Sequence, residues 1–215
     1  MNRAAFLLTA VLIAMPGLAA AQQVSPPPAV LVGPVPIPDE AATARYMADF
    51  TALCLDTGGE RAAVRAAVAR LGWTEASADA FQGGEAVDLA AWDAPGGRAG
   101  GQLLTSASAP GEMADGLIVR TCILQPAGGS AGPRARLQAA TAAAVGLPGR
   151  PTAQGLTWIL SGSPATGFRD EMAAFTSAGS TEAGFALGLE RPILLLTLVG
   201  NDREAGLALL RLSPE

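Results

Sequence analysis

The stretch "GLIVRTCILQP", Gly116 to Pro126, decides the fold. It is apolar, rich in β-branched residues, and ended by Pro126 and "AGGS", which predicts a strand. Side chains alternate along a strand. Leu117, Val119, Thr121 and Ile123 therefore share one face, and Ile118, Arg120, Cys122 and Leu124 share the other. The second face carries one of only two cysteines in the chain. The other cysteine, Cys54, lies on a helical pattern in which Met47, Phe50 and Cys54 recur at i, i+3 and i+7. Asp39, after Pro38, is placed to cap that helix, and Gly58-Gly59 to stop it. A Cys54–Cys122 bond would lay this first helix on the second face of the strand. Arg120 then falls on a covered face. It must reach the sheet edge along its aliphatic stem, or pair with a carboxylate, or the register differs. A buried, paired Arg120 is the outcome with functional interest.

Working outward, Val64, Ala67, Val68 and Leu71 form the apolar stripe of a second helix, with Gly72 as its stop. "TEASADAF" suggests one further helical turn capped by Thr74. "EAVDLAAW" and "QLLTSAS", joined by "DAPGGRAGG", predict a hairpin. In the second half, Pro133 opens a helix through Leu137, Ala140, Thr141 and Ala144, which Gly146 and Pro148 end. "LTWILSG" predicts a strand, and "GFRDEMAAF" a short helix carrying Phe168, Met172 and Phe175. "GFALGLE", "PILLLTLVG" and "LALLRLS" predict three closing strands, the first with an exposed edge that could pair two chains. Ile193–Val199 is too short to span a bilayer and suits a buried central strand. The expected fold class is α+β, an antiparallel sheet packed against two to four helices, in one domain over 39–215. The layout also admits a diverged duplication, 39–126 and 131–215, in which "ARLGW" aligns with "AAVGLP".

The N-terminus sets the compartment. Arg3 precedes the apolar run "AAFLLTAVLIAM", Pro16-Gly17 breaks it, and "LAAAQQ" follows. This is the layout of a secretory signal peptide over 1–21, cut after Ala21, with no transmembrane segment left after cleavage. In an oxidising compartment two cysteines are most simply one disulfide, Cys54–Cys122. The cysteines are 68 positions apart, so the bridge should stabilise by about 4 kcal/mol in the chain-entropy description. Residues 22–38 form a proline-rich arm, from Pro26 to Pro38, which forbids a regular helix. It suits a semi-rigid spacer, an arm on the domain, or a ligand for a proline-binding module.

Composition excludes several chemistries. All fourteen basic residues are arginine, and the net charge is −5. An acidic chain with no basic cluster does not suit nucleic acid or an anionic membrane surface. The absence of histidine removes the Ser-His-Asp and Cys-His arrangements and histidine metal sites. The absence of lysine removes Schiff-base chemistry and the phosphate-loop lysine. "GGRAGG" lacks the spacing of a dinucleotide loop, and "SGSP" that of a nucleophile elbow. No catalytic residue, metal ligand or cofactor is expected. The candidates left are a ligand groove around Trp73, Trp92 and Trp158 with Arg120, because indoles supply large contact area, and carboxylate pairs such as Asp93 with Glu112 or Glu182 beside Trp92 and Trp158.

The signal peptide, the helix with "LCLD", "AVARLGW", the strand with "RTCIL" and the later "LTWIL" together resemble uncharacterised exported proteins of proteobacteria. The resemblance implies a disulfide-stapled periplasmic domain and carries no activity or site residues. Three functions are compatible with this sequence. The first is a non-catalytic periplasmic protein binding an envelope protein or a small ligand. The second is an inhibitor or protective protein for a protein partner, and the third a carboxylate-dependent hydrolase.

Overall fold

A computed structural model describes residues 40–78, 87–97, 101–108, 116–126, 130–152, 155–200 and 205–214. The expected signal peptide, the proline-rich arm and the Asp39 cap lie outside them. The chain runs α1 (Glu40–Phe50), a π-helical turn (Thr51–Leu55), α2 (Arg61–Arg70), β1 (Thr74–Ala76), β2 (Val87–Asp93), β3 (Gly101–Ala107) and β4 (Leu117–Pro126). It continues with α3 (Arg134–Val145), β5 (Arg150–Thr152), β6 (Gly155–Ser163), β7 (Gly167–Asp170), α4 (Met172–Ser177), α5 (Thr181–Glu190), β8 (Ile193–Gly200) and β9 (Ala205–Pro214). The fold is α+β, with five α-helices among the described residues rather than two to four.

Every ladder in the nine-stranded sheet is antiparallel. The order is β1-β2-β3-β4-β9-β8-β6-β5, with β7 also paired to β6. Read from either edge, this is a three-residue strand followed by three longer ones, and the two sets meet at β4–β9. In each half a helix ends on a glycine of positive φ, Gly72 (φ 73) or Gly146 (φ 72). Such a residue closes a helix without Cβ strain. Each glycine then leads to the three-residue edge strand. "ARLGW" and "AAVGLP" therefore occupy equivalent places in the two halves.

One sheet face is covered by α1, the π-turn, α2 and α3. Its central rows run Trp92–Leu103–Leu124–Leu207–Leu198 and Thr105–Cys122–Leu209–Leu196–Trp158 across the strands. Nearly all of these are buried in the main core with Phe50, Leu53, Val64 and Leu137. The opposite face packs Leu117, Val119, Ile159, Ile193 and Leu212 beneath α4 and α5. Ile193–Gly200 is an interior strand, as its unbroken apolar run predicts.

Three readings from sequence are corrected. "GFALGLE" is part of helix α5, not a strand, so the edge expected there does not exist. Phe185, Leu187 and Leu189 alternate like a strand, but Gly184 and Gly188 recur four residues apart on one helical face. A Cβ at Gly188 would lie 2.7 Å from Leu212 Cβ, and one at Gly184 3.0 Å from the Phe175 ring. The glycines let α5 press onto β9 and α4. Thr74–Ala76 is the edge strand β1 rather than a helical turn, because it pairs with Ala91–Asp93. Gly167–Asp170 is strand β7, and the helix begins only at Met172, whose N–H is capped by Asp170 Oδ1 at 2.9 Å.

Residues 46–60, running from α1 through the π-turn to the start of α2, are fastened to the β4–β9 seam at three successive rows. Tyr46 Oη donates to Leu124 O (3.0 Å) and accepts from Leu207 N–H (2.8 Å). Leu124 and Leu207 are directly paired across the seam. Burial holds the Tyr46 phenol well above its ordinary pKa. Two residues along β4, Cys122 is bonded to Cys54, with Cα atoms 5.7 Å apart. The π-turn places Leu53, Cys54 and Leu55 all in the core. A further two residues along, Arg120 and Arg211 are paired across the seam and both reach Glu60. Arg120 thus takes the carboxylate-paired outcome.

Two expectations follow. Reduction, or a Cys54→Ala/Cys122→Ala double variant, should lower unfolding stability by up to about 4 kcal/mol, seen as a lower urea midpoint, while non-reducing peptide mapping recovers a Cys54–Cys122 peptide. Tyr46→Phe strands one buried carbonyl and one buried N–H. It should cost about 1–3 kcal/mol at an unchanged denaturant slope, and a midpoint equal to wild type would refute the seam role of that hydroxyl.

Candidate functional site

A cavity of about 460 Å3 lies at one end of the sheet. One wall is the turn joining the π-segment to α2, Leu55–Gly58. The other is the β6–β7 hairpin with Arg169, and the start of β8 with Arg191 and Pro192. Arg211 and Leu194 form the floor. Gly58, at φ 58, lets the turn lie against Arg211, because a Cβ there would be 2.7 Å from a guanidinium nitrogen.

Two carboxylates organise the arginines. Glu60 precedes α2 but makes no side-chain cap bond to it. Its Oε1 lies 3.1 Å from Arg211 Nη1 and its Oε2 3.2 Å from Arg120 Nε. Arg120 Nη1 also donates to Ser213 Oγ at 2.8 Å. Like charges set side by side on adjacent strands repel, and one carboxylate between them offsets that repulsion. On the opposite wall Glu171 holds Arg191 through Nη2–Oε2 at 2.8 Å and Nε–Oε1 at 3.3 Å, and accepts from Ser161 Oγ at 2.6 Å. The Arg191 hydrogen bond holds the Glu171 carboxyl below its ordinary value; burial opposes this and the Ser161 bond adds to it. A carboxylate so stabilised is a weak base, so the Ser161–Glu171 pair is built to hold shape rather than to strip a proton from the hydroxyl.

Two charged side chains on the cavity make no ion pair among the described residues. Arg169 stands opposite Ser161 in the β6–β7 register and is exposed. Asp56 lines the other wall and is also exposed. Arg169 acts on Glu171 through its charge without forming an ion pair with it, so the cavity presents a cation and an anion that are not ion-paired among the described residues, on a preformed polar frame.

The residues picked out from sequence are placed differently. Cys54 and Cys122 form the expected bridge. Arg120 adjoins the cavity through Glu60 without lining it. The tryptophans form no common groove. Trp92 and Trp158 are 3% and 2% exposed and sit on β2 and β6, with β3, β4, β9 and β8 between them. Five strand spacings at about 4.8 Å put them roughly 24 Å apart. Trp158 Nε1 donates to Leu147 O at 2.9 Å, the bond of a core indole. Trp73 is 7% exposed and lines a second, smaller cavity. No cleft can join Trp92 to Trp158 as the paired-carboxylate reading requires. Asp93 is taken by Gln102 Nε2 at 2.9 Å, while Glu112 and the Glu182 side chain lie outside the described residues. Among the described residues no group of His, Cys, Asp and Glu is placed to hold a metal ion, and no helix is long and apolar enough to cross a membrane.

Sequence reasoning missed Glu60, Arg169, Glu171, Arg191 and Arg211. None stands in a recognisable motif. The one available signal was that "RTCIL" and "LLRLS" each carry an arginine inside an apolar strand, which requires a carboxylate somewhere above the sheet. No family model, curated protein or solved structure matches this chain.

The Glu171 network fixes the sign of a pH effect. The folded carboxyl titrates below its ordinary value of 4.5, so the unfolded state binds the proton more tightly. The stabilisation is complete above the ordinary value and is lost as pH falls through the lowered one. Urea midpoints measured from neutral pH into the acid range should fall more steeply for wild type than for Glu171→Gln. Parallel profiles would show that the network adds nothing to stability.

Proposed function

We propose that this chain is an exported, non-catalytic binding protein of the cell envelope, and that the cavity between the Leu55–Gly58 turn and the β6–β7 hairpin takes a small polar ligand. The observation that carries this reading is the presence on one preformed cavity of Arg169 and Asp56, neither of which forms an ion pair among the described residues. A carboxylate or phosphate on the ligand meets Arg169, whose planar fork suits such groups. An ammonium meets Asp56. The ligand class is a compact zwitterion of amino-acid or dipeptide size, which the volume of about 460 Å3 admits. The disulfide between α1's extension and β4 and the N-terminal leader pattern support a setting outside the cytoplasm.

The test is a thermal-shift and calorimetric screen of the full mature chain with free amino acids, dipeptides, dicarboxylates and diamines. A ligand at 100 times its Kd adds about 2.7 kcal/mol to stability, a readily measured rise in Tm. Zwitterions should raise Tm, and both Arg169→Ala and Asp56→Asn should weaken the effect at least tenfold. Zwitterion binding unchanged in both variants, or no saturable binding by any class, would overturn the assignment of the cavity.

A further inference from the structure

A second cavity, of about 340 Å3, lies at the other end of the helix-covered face. One helix stripe, Ala42, Arg45, Tyr46 and Asp49 of α1, forms its first wall. Trp73, just past α2, forms the second, with Pro95, Leu124 and Pro126. Its chemistry differs from that of the first cavity. The lining is mostly aromatic and apolar, with Gln125 and Ser130 its neutral polar residues and Asp49 its carboxylate. Asp49 is half-buried and makes no ion pair or hydrogen bond among the described residues. Burial raises its pKa, with no compensating partner. Arg45 lies one turn earlier on the same helix but is exposed and unpaired with it. A partly desolvated carboxylate without a partner is costly. The Tyr46 hydroxyl cannot supply a donor, being spent on Leu124 and Leu207.

We propose that this cavity is a binding site for an organic ammonium ion, with Asp49 as counter-ion and the Trp73 indole as the aromatic wall. A carboxylate beside an aromatic face attracts an ammonium by charge and by the ring quadrupole together. Such a site selects alkylammonium over sodium, because the apolar walls replace the cation's alkyl hydration but cannot replace the water shell of a metal ion. It is independent of the Arg169–Asp56 cavity. Arg45 bears the same charge as the ligand at the cavity mouth and weakens binding.

The test uses the full mature chain and two named probes, tetramethylammonium and putrescine, against sodium at equal ionic strength. The readout is isothermal calorimetry together with the indole N–H resonances of the three tryptophans, assigned by single substitution. The expected result is saturable binding of at least one probe, with the Trp73 resonance moving and those of Trp92 and Trp158 still. Asp49→Asn should weaken binding at least tenfold. Arg45→Ala should strengthen it several-fold, a change opposite in sign that a merely damaged fold would not give. Arg169→Ala should leave it unchanged. No saturable binding of either probe at tens of millimolar, equal affinity for Asp49→Asn, or a still Trp73 resonance would each overturn the proposal.

Discussion

The β4–β9 ladder is the constraint on which the rest depends. It joins two four-strand sets into one sheet, and nothing else in the strand order does so. Antiparallel pairing of eight residue pairs supplies the backbone bonds but not the rigidity of the junction. That comes from residues 46–60, from α1 to the start of α2, which reach down at three successive rows. The Tyr46 hydroxyl bridges Leu124 and Leu207, Cys54 is bonded to Cys122, and Glu60 spans Arg120 and Arg211. The three fastenings use different physics. A buried hydroxyl satisfies backbone groups that would otherwise be stranded. A covalent bridge restricts the unfolded chain. A shared carboxylate offsets the repulsion of two cations that the ladder forces together. The π-helical turn between Phe50 and Asp56 brings Leu53, Cys54 and Leu55 into the core together, placing the cysteine over the middle row.

The strand order, read from its two edges, shows where the polar cavity sits. Each half gives a helix, a positive-φ glycine, a short edge strand and three longer strands. Two segments break that pattern. In the first half it is α1 and the π-turn with its double-glycine exit; in the second it is the β7–α4–α5 excursion between β6 and β8. Both departures end at the same end of the sheet. The first supplies Asp56 and Gly58 to the cavity, and the second supplies Arg169 and Arg191. Binding residues are commonly carried on connections between packed elements.

Much of the fold was legible in "GLIVRTCILQP" because a strand's two-residue period and a helix's 3.6-residue period place residues on faces without further information. The same logic put Cys54 and Cys122 in register and flagged Arg120 as needing a carboxylate. It failed at "GFALGLE", where apolar residues alternate yet the deciding feature is the clearance at Gly184 and Gly188 against Phe175 and Leu212. Those neighbours are supplied by tertiary packing and cannot be read locally. The site was less legible than the fold for the same reason. Glu60 and Arg211 are 151 positions apart in sequence, and Glu171 and Arg191 meet only because α4 and α5 return the chain to the sheet. Trp92 and Trp158 are taken up in the core, because large indoles serve cores as readily as grooves.

The exclusive use of arginine gives the site its character. A guanidinium presents several donors in a fixed plane, whereas an ammonium is a point charge on a flexible stem. Arg120 uses that plane to meet Glu60 with Nε and Ser213 with Nη1. Arg191 uses it to grip both oxygens of Glu171 and still reach Glu190. A lysine at either position has donors enough but no fixed plane in which to aim them. The frame of the cavity is thus held by forked contacts that fix side-chain direction as well as charge. Arg169, built on the same hairpin and opposite Ser161, makes no such forked contact among the described residues.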